Sequence, residues 1–559
     1  MAERMHPVLV VGAGPTGLTM ANELVRHGVP VRVIDRAPTA ATTSRALVVM
    51  PRTLEIFDDM GVVDAALAAG NRAPGLSLMF GKDKKGQDRK VYMDLADLLT
   101  GPRNHTAYSA LRTLSQTDTE RLLAEALAER GVDVERGVAL TDLTTDGDTV
   151  TVSLRTEDGS TETAPYRWVV ACDGAHSAVR KAIGMPFEGS TYPDEFIMAD
   201  AELDWELPDG DLYTFPSPAG IFAAFAMPGE HRFRIFGNVA TGPEGPREYS
   251  EPTHEEFQAM IDERVPYPAK VVQEYWVTRY RVHRRGVPRY RDGRVFLVGD
   301  AAHVHSPAGA QGMNTGIQDA YNLAWKLALV VRGIAEEPLL DSYHADRHPV
   351  GVRLLKTTDR MFGVIAGQSR LARMARGRVA PELASRLLTR DRVRRGLIGI
   401  LAQLRLSYPD SPLNAESGSD WGDAPAPGDR AREAEVLIDG EPGRVHDVLR
   451  GTQHTVLLFT GLDEHARPAV ELCRIAERIE RAYPELVTAR VVSAERSADR
   501  PLALGDPDRS AHRQYGVERA SAFVVRPDGH VAYRGHPVDA DALLADLAAR
   551  LPGASAGDR

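Results

Sequence analysis

Cysteine is nearly absent from this chain. Cys172 and Cys473 are the only two in 559 residues, too few and too far apart for a disulfide framework or a zinc site. Their scarcity predicts a reducing, cytoplasmic setting. Long apolar runs are missing too. The most apolar helical stretch, Leu323 to Val331, contains Lys326 and is far too short to cross a bilayer, so no membrane partner is expected. No signal peptide is expected either, because a core strand begins directly after Met1-Ala2-Glu3-Arg4-Met5. Net positive charge is also lacking. The formal charge of −11 argues against a nucleic-acid partner, since phosphate binding needs a net basic face. A local run of arginines (Arg370, Arg373, Arg376, Arg378, Arg386, Arg390, Arg392, Arg394 and Arg395) reads as a solvated helix face. No metal is expected. His303 and His305 have no third ligand or carboxylate frame and read as supports of a turn.

What the chain has instead is glycine at three telling places. Val8-Leu9-Val10-Val11 predicts a strand, and Gly12-Ala13-Gly14-Pro15-Thr16-Gly17 follows at once. A helical pattern (Leu18, Ala21, Leu24, Val25) runs to Gly28, and Val31-Arg32-Val33-Ile34 predicts a second strand ending in Asp35 and Arg36. This is the dinucleotide fingerprint in its βαβ setting. Gly12 makes the tight turn, Gly14 admits the pyrophosphate to the backbone, Gly17 lets helix and strand pack closely, and Asp35 suits the ribose hydroxyls. Thr16 and Arg36 complete the candidate contacts. The fingerprint alone does not separate NAD from FAD.

The second place is Trp168-Val169-Val170-Ala171-Cys172-Asp173-Gly174, a buried strand running into Asp-Gly and a helix that starts near Ser177. The third is Gly299-Asp300-Ala301-Ala302-His303, followed by Pro307-Ala308-Gly309-Ala310-Gln311-Gly312-Met313-Asn314. There a strand delivers an aspartate, a glycine-rich turn follows, and a long helix opens near Asn314. A helix start offers unpaired N–H groups and partial positive charge, which suits an anion. GxGxxG, then Asp-Gly, then Gly-Asp, in this order from about Val8 to Leu355, resembles the class A FAD-dependent aromatic hydroxylases. These are the single-component flavoprotein monooxygenases that include phenol and aromatic polyketide hydroxylases.

That resemblance implies FAD as cofactor, NADPH (or NADH) as a transient reductant, O₂ as co-substrate, and a small aromatic substrate hydroxylated through a C4a-hydroperoxyflavin. Asp300 would bond a ribityl hydroxyl, and Pro307 would present its carbonyl beside the isoalloxazine. The helix opening at Gly312-Met313-Asn314, with Gly309 before it, would stabilise the anionic reduced flavin. Arg45 matches the family's loop arginine at the cofactor, and Gln116 its glutamine on the following helix. No second GxGxxG serves the nicotinamide, which is expected near Arg45 and Asp173. Where some family members carry an aspartate, this chain reads Arg45-Ala46-Leu47, so the substrate proton falls to Tyr213, His231 or Tyr280. Each of these reads first as pocket wall or core and only then as a base. A Baeyer–Villiger or epoxidising reaction on the same scaffold, or a flavin-binding redox sensor without oxygenation, fits the same motifs.

The expected fold is α/β: a Rossmann-like FAD-binding domain (1–190 and 282–416), an antiparallel-sheet substrate domain (191–281), a turn-rich linker (417–428) and a C-terminal domain (429–559). Strands at Thr455 to Phe459 and Val487 to Val492, a helix at Pro468 to Ala482 between them, a hairpin around Pro527-Asp528-Gly529 and a final helix at Ala540 to Leu551 make that last domain resemble a thioredoxin-like unit. It lacks CxxC, and dithiol chemistry needs two cysteines, so it reads as structural or dimer-forming in a monomer or homodimer. All the flavin motifs lie upstream of Gly428, so the cofactor site is expected to survive loss of the tail.

Overall fold

A strand without polar residues is stable only when both its faces are covered. Val8–Val11 is such a strand, and in the computed structural model it lies fully buried inside a six-stranded sheet. The structure describes residues 7–554, apart from 43–45, 83–87, 101–102, 218, 240–250, 306–309, 366–385, 389 and 496–500. Across the sheet the order is 291–292, 295–297, 168–171, 8–11, 31–35 and 134–136. All neighbours are parallel except the short edge hairpin of 291–292. The helix Pro15–Arg26, with proline at its first position, makes the crossover between the first two strands. It packs against two others, Gly312–Val331 and Gln116–Glu129.

The second sheet has eight strands in the order 303–304, 269–286, 188–205, 232–239, 220–226, 212–217, 75–82 and 88–94. It is larger than the sequence suggests. The hairpin of Gly75–Lys82 and Asp88–Asp94 joins it, because Leu212–Ser217 pairs parallel to Gly75–Lys82. Successive side chains on a strand point to opposite faces. Ile197, Ala199, Leu203, Phe215 and Phe233 pack under the helix His254–Arg264 through Phe257, Met260 and Ile261. Phe196, Met198, Tyr280 and Val282, with Phe236 and Trp276, line the other face. On that face Arg234 is gripped by both oxygens of Asp200 at 2.7 Å and donates to the Ala46 carbonyl at 2.9 Å. This face therefore looks onto the cofactor domain.

The tail carries a third sheet, ordered 415–417, 531–535, 521–525, 454–459, 487–493, 503–505, 435–438 and 441–444. His454–Phe459 and Val487–Ser493 are parallel and joined through the helix Ala469–Ala482; Ser521–Val525 and Val531–Gly535 follow antiparallel. The stretch read as a linker is not a free tether. Trp421 packs on Phe523 and His536, and the Gly428 amide donates to Val531 O at 2.7 Å.

Tail and cofactor domain share a buried polar seam. Lys326 Nζ meets Asp346 at 2.8 Å, Arg526 meets Asp346 at 3.1 Å and Asp528 at 2.8 Å, and all four side chains are essentially inaccessible. Asn322 donates to Asp528 at 2.8 Å and Arg52 to the Asp528 carbonyl at 2.7 Å. Arg430 Nε donates to the buried Glu55 at 2.8 Å.

Candidate functional site

The register of the parallel sheet sets Val11 beside Ala171, and Ala171 beside Leu297. The residues that follow are Gly12, Cys172-Asp173 and Val298-Gly299-Asp300. Three motifs separated by well over a hundred residues therefore emerge side by side at the carboxyl ends of adjacent strands, where open α/β sheets bind ligands.

The glycines have different reasons. Gly12 is left-handed (φ 103°), and a Cβ there would lie 2.9 Å from Asp173 Cα and overlap the Cys172 carbonyl. A Cβ on Gly17 would overlap the Gly12 carbonyl oxygen. Both are demanded by the chain's own packing. Gly14 is not: the nearest described atom to a Cβ there is Glu120 Oε1, at 3.9 Å. No described atom of the chain needs that space, which leaves it open to a ligand. Gly299 and Gly316 admit a further wedge, because a Cβ on Gly299 would come 2.8 Å from Thr16 Oγ1 and one on Gly316 would overlap it. Thr16 thus seats the first motif on the third. The sequence reading passed over Gly316, although a glycine inside a helix start signals close approach.

Around this turn the polar groups are partly committed. Asp35 accepts from the Ala13 amide at 2.7 Å and from the Ala37 amide at 2.8 Å, which fixes its carboxylate over the glycine loop. Arg36 is exposed beside it. Gln116 donates through its backbone to Ala46 O at 3.1 Å and through its side chain to Glu120 at 2.7 Å. Glu120, one helical turn on, is an acid the sequence reading missed. It is buried next to Gly14, and burial raises its carboxyl above the usual range against the opposing bond from Gln116. The i, i+4 spacing to Gln116 is the signal that would have found it.

Asp173 accepts from the Ala178 and Val179 amides at 2.6 and 3.3 Å, and burial raises its carboxyl. Its other oxygen, Oδ1, is buried with no hydrogen-bond partner among the described residues. A buried acceptor left open is costly, so this atom and the space over Gly14 both fit a polar ligand laid across the strand ends.

Asp300 stands exposed on a single turn of 3₁₀ helix, Gly299–Ala301. In the helix Gly312–Val331 the Thr315 amide bonds Gln311 O at 2.8 Å. The amides of Gly312, Met313 and Asn314 precede it, at the positive end of the helix. Arg45, Pro307 and Gly309 lie outside the described residues.

The three candidate bases fall in three different settings. Tyr213 lies under the far face of the second sheet, donates to Pro208 O at 2.7 Å, and is pushed above its ordinary pKa by burial and by Asp211 and Asp209. It is core, not a base. His231 is exposed at a hairpin tip with φ 52° beside Asp209. Tyr280 alone of the three is on the cofactor side, buried against Phe196 at 5.9 Å between ring centres.

Asn314 does not aim its amide at a ligand. Its Oδ1 accepts from the Met50 amide at 2.9 Å and Thr53 Oγ1 at 2.7 Å, and its Nδ2 donates to Val48 O at 2.8 Å and Ala310 O at 3.0 Å. Any contact it makes with a cofactor runs through its backbone N–H. Asn314→Asp sets a carboxylate oxygen against two carbonyls. Each buried group left without its partner costs about 1–3 kcal/mol, so the expected result is a lower melting temperature and weaker FAD retention together. A variant as stable as wild type, with only a shifted flavin potential, would show that the side chain faces the flavin after all.

A family of FAD binding domains matches residues 5–358. Over 97% of its length the chain is 36% identical to 6-methylpretetramide 4-monooxygenase of Streptomyces rimosus, covering 93% of that protein. It is 31% identical to pentachlorophenol 4-monooxygenase of Sphingobium chlorophenolicum, across 97% of this chain and 96% of the other. Its fold matches the solved structure of an anhydrotetracycline hydroxylase from Streptomyces rimosus with a TM-score of 0.73 and 27% identity, over 97% of this chain and 98% of that one.

Proposed function

The chain belongs to the FAD binding domain family and is an FAD-dependent monooxygenase, and on that premise we propose that it hydroxylates the ring of a phenolic, polyketide-like aromatic. The observation that carries the reading is the convergence of three motifs at adjacent strand ends beneath an aromatic sheet face. Phe196 and Phe236 stack on that face with centroids 5.1 Å apart and planes at 5°, flanked by Tyr280, Trp276 and Met198. Phe236 and Trp276, the partly exposed members of this face, offer flat apolar surface that favours a flat ring system over a flexible chain. The names of the relatives, a pretetramide and a chlorinated phenol, agree with that choice.

Bound FAD supplies two-electron reduction by a reduced nicotinamide and the activation of O₂. The chain's own residues do the rest. The Gly12–Gly17 turn brings backbone to the pyrophosphate and Asp35 holds the ribose end. The amides at Gly312, Met313 and Asn314 favour negative charge at the flavin. The aromatic face positions the substrate and excludes water. Tyr280 is the one polar side chain of the three candidate bases on the right face to meet a ring hydroxyl.

We further infer that the tail is thioredoxin-like and structural. Its parallel pair with a helix between, followed by an antiparallel hairpin, supports the likeness. After His454–Phe459, where a dithiol would sit, Thr460 lies 3.4 Å from His512 Nε2, and His512 Nδ1 is 2.7 Å from Asp506. That buried polar chain has no redox chemistry.

The test is oxidation of NADPH or NADH by the purified yellow protein across a panel of phenols and phenolic polyketides. The expected result is a faster rate with a phenolic compound and a product heavier by one oxygen atom. Phenols inert and a ketone converted to an ester would assign a Baeyer–Villiger reaction instead. In parallel, Asp300→Ala is expected to purify largely without FAD; full retention would remove the third motif from the site.

A further inference from the structure

Asp319 lies about two turns into the helix Gly312–Val331, fully buried, and three groups converge on its carboxylate. Arg347 Nε donates to Oδ1 at 2.6 Å. His303 Nε2 meets Oδ2 at 2.8 Å, and the Gly299 amide donates to the same oxygen at 3.3 Å. Gly299 and His303 are the two ends of the turn that carries Asp300, and Gly299 is left-handed (φ 60°). One carboxylate therefore clips both feet of that turn to the helix. Arg347 is itself held, by Thr315 O at 3.2 Å and by the Tyr408 hydroxyl at 2.9 Å, and Tyr290 stacks on His303 at 5.8 Å. Burial alone would drive the Asp319 carboxyl up; Arg347 and His303 more than offset it and keep it below its ordinary range.

We propose that Asp319 is a positioning residue for the cofactor: by pinning Gly299 and His303 it fixes Asp300 where the flavin meets it. A buried ion pair that served stability alone would need only Arg347. The contacts to the two ends of the turn are what point to placement of Asp300. The inference rests on the reading of the third motif as part of the flavin site.

The experiment is a double-mutant cycle on FAD affinity, titrating FAD into apoprotein for wild type, Asp300→Ala, Asp319→Asn and the double variant, with apoprotein melting temperatures alongside. Independent sites give additive losses, and sites in one network do not. Asp319→Asn is expected to weaken FAD binding about tenfold or more, and that loss is expected to shrink to within about twofold once Asp300 is alanine. If the single losses simply multiply in the double variant, Asp319 acts on stability and the proposal falls while the flavin site stands. If Asp300→Ala binds FAD like wild type, the reading of the third motif falls and takes the proposal with it. His303→Leu is run through the same cycle, because it frees one end of the turn and leaves Asp319 paired with Arg347, so folding is not put at risk by an orphaned charge. Its loss is likewise expected only when Asp300 is present; a loss independent of Asp300 overturns the proposal.

Discussion

A chain ended at Gly428 is expected to come out unfolded and colourless, although every flavin motif lies upstream of that point. The reason is the polar seam beneath the long helix. Truncation removes Arg526 and Asp528, which partner Asp346, Asn322 and Arg52, and it removes Arg430, which partners Glu55. Lys326, whose ammonium burial has already pushed down to about 8, keeps Asp346 and Asn322 but loses the nearby Asp528 carboxylate. Asp346 keeps Lys326 and Glu55 keeps Arg52, but each loses its tail arginine, and the buried faces of the long helix and of Pro51–Met60 that the tail covers are opened to water. Whole domains hold only about 5–15 kcal/mol in total. The check is to express residues 1–428 beside the full chain and compare soluble yield, bound flavin by absorbance, and cooperative melting by circular dichroism. A soluble, yellow fragment with a cooperative melt would show that the seam is dispensable and that the tail is an independent attachment.

That expectation differs from the one the sequence suggests, and the difference shows which kinds of information a sequence carries openly. The three motifs are local. Each sets a strand end, a turn and a helix start within about a dozen residues, so their placement could be read directly, and the chain's register then brings them together. The seam is not local. Glu55 and Arg430, or Lys326, Asp346 and Arg526, have no periodicity that links them, and a buried charge looks like a surface charge until its partner is known. Asn314 illustrates the same limit at the site itself. Its position at a helix start was legible, but its amide is spent on Val48, Met50 and Thr53, which no spacing rule announces.

The candidate bases divide for a different reason. Tyr213 and Tyr280 both lie in strands of one sheet, and which face each takes depends on strict alternation counted through register. Register slips at Thr191/Glu195, Asp200/Ala201 and Glu202/Leu203 in the pairing of the two longest strands, and one such slip moves a side chain to the other face. His231 was avoidable. Met227-Pro228-Gly229-Glu230 precedes it, and Pro-Gly marks a turn, so an exposed hairpin tip was there to be read.

Gly14 and Gly17 sit three residues apart in one motif, and alanine is expected to have opposite effects at the two. At Gly17 the new Cβ would overlap the Gly12 carbonyl oxygen and lie 3.2 Å from Cys172 Cβ. Neither neighbour is a flexible side chain, so the helix Pro15–Arg26 must back away from the first strand, on which the second motif also rests. Strain of this kind in a packed core costs about 1–3 kcal/mol or more, and the apoprotein is expected to melt markedly lower and to purify poorly. At Gly14 the backbone is extended (φ −77°, ψ −178°), which alanine adopts freely, and the nearest described atom is 3.9 Å away. As the residue capping the helix it favours glycine over alanine by no more than about 1 kcal/mol, so the apoprotein should fold and melt nearly as wild type does. Its methyl group, however, fills the space through which a pyrophosphate reaches the backbone. FAD affinity is expected to fall by about two orders of magnitude or more, roughly 3 kcal/mol at 1.4 kcal/mol per factor of ten. Melting curves of the two apoproteins and FAD titrations of both decide the matter. A Gly14→Ala protein that binds FAD as wild type does would mean that the cofactor's diphosphate does not come to this turn, and the open space over Gly14 would need another occupant.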